Sequence, residues 1–199
     1  MMNTNNFAHI TNLLDFSEPN TFYFIQILKR RKENPDMKTG VRVIDNFYLY
    51  GPEDLVKIKD KIIETCIINN ARAYINVNRL DLERVALFTS KKITELIIQG
   101  DYKAVKNAYA SVCGSHSSEN EKRWVVDIDT RDGDVIDDIR NYIWKLHDEI
   151  PKSRYKILAL LSTKNGMHII SNPFNLQKFK EKFPDIDVHK SSPTVLFIP

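Results

Sequence analysis

A chain of 199 residues with 42% apolar and 28% charged residues can bury a core of its own, and its composition excludes a disordered, fibrous or disulfide-dependent protein. Its 29 basic and 26 acidic residues leave a net charge of +3, too balanced to mark a nucleic-acid binder by composition. No run approaches the roughly 18 to 20 apolar residues of a membrane span, and Met1 to Asn6 lacks a basic segment followed by an apolar stretch, so no secretory leader is expected. Cys66 and Cys113, the only two cysteines, lack metal-ligand spacing and read as free thiols in a reducing cytoplasm.

In chain order, Phe22 to Leu28 is rich in aromatic and β-branched residues and predicts a strand. Asn34-Pro35-Asp36 breaks it, and Val41 to Tyr50 predicts a second. Between them, Lys29-Arg30-Arg31-Lys32 is a cationic cluster at a strand end, either a phosphate contact or a solvated loop. After Gly51-Pro52, apolar positions at Leu55, Ile58, Ile62, Ile63 and Cys66 recur at helical spacing. Ala73 to Val77 predicts a short strand, and Asp81 can cap a helix carrying Val85, Ala86, Phe88, Ile93 and Leu96. A further helical stretch runs from about Tyr102 to Val112. Residues 1–115 thus read as a mixed α/β module.

Gly114 to Lys122 has no apolar residue and reads as a linker, with His116 an exposed loop histidine. In the segment 122–199 the pattern predicts a strand from Arg123 to Asp129, a turn at Thr130 to Gly133 and a helix from Asp134 to about Glu149. Strands at Tyr155 to Leu161 and Met167 to Ser171, a helix around Leu176 to Phe183 and a last strand at Thr194 to Ile198 follow. That order is βαββαβ. The expected fold class is α/β of the α+β kind: an RRM-like or ferredoxin-like core preceded by the mixed α/β module.

Chemistry concentrates in two places. In Trp124-Val125-Val126-Asp127-Ile128-Asp129, strand alternation puts Val125, Asp127 and Asp129 on one face. The Cα atoms of Asp127 and Asp129 would lie about 6 to 7 Å apart, so the two carboxylates can converge on a divalent cation, and oxygen-only ligands favour Mg2+ or Mn2+. Without a cation they repel. Asp132 and Asp134 read instead as bend and helix cap. The second place is Ser162-Thr163-Lys164-Asn165-Gly166-Met167-His168, a polar glycine-containing turn between apolar strands. The first and third strands of a βαββαβ sheet are its central pair, which sets His168 beside the acidic strand. Ser162, Thr163, Lys164 and the amides around Gly166 could cradle a triphosphate, with His168 on a phosphate oxygen.

Val125-Val126-Asp127-Ile128-Asp129 resembles the hhhDhD motif of the archaeo-eukaryotic primase superfamily, where h is hydrophobic. Ser162 through His168 resembles its small-x-His motif. The resemblance covers the C-terminal 80 or so residues and suggests a small member of the kind carried by phages and mobile elements. It implies a third motif, a hydrophobic residue followed by an acidic one, for which Ile186-Asp187 is the candidate and Asp185 the alternative. It further implies a template-directed nucleotidyltransferase in DNA replication or repair, in which Asp127, Asp129 and Asp187 bind two divalent metals. His168, Ser162, Thr163, Lys164 and Gly166 would hold the nucleoside triphosphate. Lys29, Arg30, Arg31 and Arg72 would contact a single-stranded or primed DNA template, and a helicase or other replication protein would be a natural partner. A metal-dependent nuclease or a catalytically degenerate nucleotide-binding relative could use the same residues. A plain RNA-binding module of this fold would show aromatics, not acids, on its central strands.

Overall fold

The computed structural model describes residues 3–115, 122–146 and 156–199. The linker expected at 114–122, with His116, lies mostly outside these residues, as do the end of the helix expected to reach Glu149 and the first residue, Tyr155, of the next expected strand.

The chain begins with a two-residue strand β1 (Thr4–Asn5) and a short helix α1 (Phe7–Thr11). Strands β2 (Thr21–Arg30) and β3 (Val41–Leu49) follow as an antiparallel hairpin. Their aromatic and β-branched content suits a half-buried pleated surface. Helix α2 (Pro52–Asn69) starts on proline, and the Asp54 carboxylate accepts from the Tyr50 and Gly51 amides at 2.7 and 3.0 Å. It buries Leu55, Ile62 and Cys66 against the first sheet. Strands β4 (Arg72–Ile75) and β5 (Leu80–Asp81) precede α3 (Leu82–Ile98), whose cap is Asp81, accepting from the Arg84 amide at 2.7 Å. A 3-10 turn (Val105–Asn107) and helix α4 (Ala108–Ser115) end the described first segment.

The second segment runs β6 (Trp124–Ile128), α5 (Gly133–Lys145), β7 (Ile157–Ser162), β8 (Met167–Ser171), α6 (Leu176–Lys182), β9 (Asp187–His189) and β10 (Thr194–Ile198). The molecule is therefore mixed α/β, with six α-helices and two antiparallel sheets among the described residues. One sheet has the order β1-β10-β4-β2-β3, with β5 also pairing β2; the other has the order β7-β8-β6-β9. No described helix is long and apolar enough to cross a membrane.

Two local expectations are corrected. The cap of α5 is Asp132, whose side chain accepts from the Asp134 and Val135 amides at 3.0 and 3.4 Å, and not Asp134. Thr194–Ile198 does not complete the second sheet: it inserts between β1 and β4 of the first, and Asp187–His189 pairs with β6 instead. The physical reason is burial. Every residue of β10 is buried, as a continuous apolar run demands, and only an interior strand of the first sheet offers cover on both faces.

Alternation divides the second sheet. Trp124, Val126, Ile128 and Ile169 pack against Ile139 and Ile143 of α5 and Phe179 of α6. Val125, Leu161 and Ile170 face the other way and join the core of the first sheet, with Tyr23, Ile25, Ile75, Leu196 and Phe197. The face carrying Asp127 is thus turned toward the first sheet.

Asn6 ties these layers together. Its Nδ2 donates to the carbonyls of Ser162 and Val195, both at 2.9 Å, and its Oδ1 accepts from the Ser162 amide at 3.2 Å. Asn6 is almost wholly buried. Asn6→Ala would leave three backbone groups without partners, so an unfolding free energy lower by about 2 to 4 kcal/mol is expected in urea titration. A loss below about 0.5 kcal/mol, the range of ordinary surface substitutions, would show that the tie carries nothing.

Candidate active site

The register of the second sheet sets His168, Asp127 and Asp187 side by side on β8, β6 and β9, each a direct Cα partner of the next. Directly opposed residues in antiparallel strands point to the same face, with Cα atoms about 4.5 to 5.5 Å apart. Leu161 of β7 continues the row on the buried side. Exposure rises across it: Leu161 is fully buried, the His168 side chain is 12% and that of Asp127 33% exposed, and Asp187 is open to solvent. One end of the row is held rigidly while the other can meet a ligand.

His168 Nε2 lies 3.2 Å from Asp127 Oδ1, and His168 Nδ1 lies 2.7 Å from the hydroxyl of buried Thr194 on β10. An ionised carboxylate only accepts, so Nε2 carries a proton; in the neutral ring Nδ1 then accepts from the Thr194 hydroxyl. The two sheets therefore fix the imidazole from both sides. The hydrogen bond from His168 is the main cause holding the Asp127 carboxyl below the ordinary 3.8, with desolvation opposing it and the charges of His168 and His189 adding to it.

That shift has a defined pH signature. A carboxylate with a folded-state pKa below its unfolded value contributes stability above the unfolded pKa and loses it as pH falls through the folded one. The stability difference between wild type and Asp127→Asn should therefore shrink as pH falls from 5 to below the ordinary 3.8. Urea titrations across that range would show it; a difference that grows on acidification would contradict the His168–Asp127 bond.

Asp129 lies just past the end of β6 and is exposed. Alternation no longer fixes its direction there, so the pairing of carboxylates falls to Asp127 and Asp187. Asp185 sits in the exposed turn before β9, outside the register with β6. Among the described residues, no three His, Cys, Asp or Glu side chains gather tightly enough to hold a metal ion. The donor chemistry nevertheless fits a hard divalent cation: Asp127 and Asp187 are directly opposed like charges, and all three acids offer oxygen.

The turn before His168 is tight. The Thr163 amide donates to the Gly166 carbonyl, and the Gly166 amide to the Thr163 hydroxyl, both at 3.0 Å. Thr163 is thereby committed to shaping the turn. Ser162 is the last residue of β7, its backbone held by Asn6, and Lys164 is exposed while its carbonyl accepts from Arg131 Nη2 at 2.8 Å. Gly166 meets the backbone where β6 ends: a Cβ there would lie 1.9 Å from the Ile128 carbonyl oxygen and 2.8 Å from the Thr130 amide and carbonyl. Only glycine lets the turn approach Asp129 so closely.

The basic residues expected at the template fare differently. Arg72 is buried in an ion pair with Glu33, and Arg30 Nη1 donates to the Tyr74 hydroxyl at 3.1 Å. Lys29 is the penultimate residue of β2 and Arg31 is exposed beyond the strand. None of the four adjoins the row of His168. Residues that the sequence did not single out do adjoin it: His189, on β9 opposite Val125; Thr194 and Asn6, on the first sheet and its flank; and Arg131, against the turn. The spacing Asp187-x-His189 is the one local signal among these, since alternation puts both on one face.

Compared with family models, curated proteins and solved structures, the chain matches none.

Proposed function

We propose that this protein is a template-directed nucleotidyltransferase of the archaeo-eukaryotic primase type, with β6-α5-β7-β8-α6-β9 as an RRM-like βαββαβ core. The observation that carries this reading is the row His168, Asp127 and Asp187 across three adjacent strands. It brings together one residue from each of the three motifs of the resemblance, which lie far apart in sequence. The strand order β7-β8-β6-β9, with both helices against one face, supports the core assignment.

In this reading Asp127, Asp129 and Asp187 hold Mg2+ or Mn2+. When bound, the cations neutralise the triphosphate and favour attack by a primer 3′-hydroxyl on the α-phosphorus with pyrophosphate leaving. The chain's own groups do the positioning. Thr194 fixes the His168 ring from the first sheet, and with a cation on Asp127 the Nε2–H group would be available to donate to a phosphate oxygen. Lys164 and Arg131, joined through the Lys164 carbonyl, would add positive charge beside that oxygen. Ser162, at the end of β7, is the Cα partner of Met167, so alternation turns its side chain to the face opposite His168.

The test is extension of an end-labelled primer on a DNA template, with each nucleoside triphosphate and Mg2+ or Mn2+. Products longer than the primer are expected. Shortened products with no extension would favour the metal-dependent nuclease. No change in the primer, with triphosphate binding retained, would favour the degenerate relative.

A further inference from the structure

The tip of the β2–β3 hairpin holds a second concentration of charge, far from the row of His168. Lys29 and Arg42 are direct Cα partners on the two strands, so their side chains emerge on one face. Like charges so opposed are unfavourable unless something of opposite sign lies between them. Lys38, from the loop, lines the same cleft, which encloses about 730 Å3 and opens to solvent. None of the three cations forms an ion pair among the described residues.

The carboxylates nearby do not balance them. Glu33 lines the cleft but is committed to Arg72, which leaves Asp36. The carboxyl end of α2 also reaches the cleft at Asn70 and contributes about half a negative charge at most. Asn70, held with φ at 45°, donates from Nδ2 to the Glu33 carbonyl and the Asn34 side chain, at 3.1 and 3.3 Å. Asn34 donates back to the Asn70 carbonyl at 3.0 Å. These bonds shape the wall of the cleft in advance of any ligand.

We propose that this cleft binds the phosphodiester backbone of single-stranded nucleic acid through Lys29, Lys38 and Arg42. It contains no aromatic ring on which a base could stack, so it reads phosphate and not sequence. It is open, as a continuing strand requires and an enclosed mononucleotide does not. Lys29 lies four residues along β2 from Ile25, which is level with Ile75 and Thr194, and two strands across from β10. That separation is roughly 16 Å. Ile25, Ile27 and Ile75 lie buried along that line, so a strand joining the cleft to the His168 row would run round the sheet. The inference rests on the template-dependent reading above in this last respect, and its test avoids the chemistry altogether.

The experiment is fluorescence anisotropy of a labelled single-stranded oligonucleotide, in EDTA and without nucleoside triphosphate, over a series of salt concentrations. Wild type is compared with Lys38→Gln plus Arg42→Gln, and with Lys103→Gln plus Lys106→Gln, which removes the same charge elsewhere. The cleft variant should bind about 10-fold more weakly, and its slope of log affinity against log salt should fall by about 1.4, two phosphate contacts at about 0.7 each. The control should bind within about 2-fold of wild type.

Equal losses in the two variants, an unchanged slope, or no binding by wild type would overturn the proposal. So would protection of wild type from heat by inorganic pyrophosphate that requires Lys38 and Arg42 while oligonucleotide affinity does not, because the cleft would then be a small-anion site. Failure of the nucleotidyltransferase reading looks different: no primer extension, with oligonucleotide binding and its salt slope intact.

Discussion

If the proposed function holds, replacing Asp127 and Asp129 together by asparagine should lower template-directed incorporation by about 100-fold or more, because a lost metal ligand costs at least as much as the 10- to 100-fold of a residue that merely orients one. Circular dichroism should find the variant folded, since Asp129 is exposed and Asp127 lies at the open side of the row. The proposed third ligand separates from its neighbour in the same assay. Asp187 is the Cα partner of Asp127, whereas Asp185 sits in the turn before β9. Asp187→Asn should therefore lose most of the activity and Asp185→Asn little of it. Equal activity of Asp187→Asn and wild type would remove Asp187 from the site.

Gly166→Ala should be the most damaging single-atom change in the second sheet. The added carbon would fall 1.9 Å from a backbone oxygen, with two more backbone atoms of Thr130 at 2.8 Å, and none of these is the end of a flexible side chain. The turn must therefore move away from β6. A cost of about 3 kcal/mol lies at the upper end of overpacking penalties and corresponds to a Tm lower by roughly 6 to 12 °C in a chain of this size. Because the turn leads directly into His168 and abuts the backbone around Asp129, the displacement also reaches the site. At a temperature where the variant is folded, incorporation should fall on the order of 100-fold, as expected for about 1 Å of misplacement. Wild-type Tm and activity in Gly166→Ala would mean that the turn and β6 do not approach in this way.

The meeting of β6 and β8 was legible in the sequence. Periodicity gave both strands, and the βαββαβ order made them neighbours, so Asp127 and His168 could be set together before any coordinates. What was not legible has physical causes. β9 is three residues long, too short for alternation to register, and so the sequence pattern yields no strand at Asp187. Its place in the sheet was given to β10, whose uninterrupted apolar run says that it is buried but not in which sheet. Thr194 and Asn6 owe their roles to partners 26 and 156 residues away, which no local pattern encodes. Arg72 illustrates the reverse error. A cation judged by charge alone had already been neutralised by Glu33, while Arg42, set opposite Lys29 by the register, had not.

The central proposal is that Asp127, Asp129 and Asp187 hold divalent metal, and titration of Mn2+ followed by electron paramagnetic resonance tests it most directly. In the presence of a nucleoside triphosphate, wild type should remove free Mn2+ signal beyond what the nucleotide alone removes. Asp127→Asn plus Asp129→Asn, and Asp187→Asn, should each lose most of that excess. Excess Mn2+ binding that is the same in all three proteins would place the metal elsewhere and contradict the account.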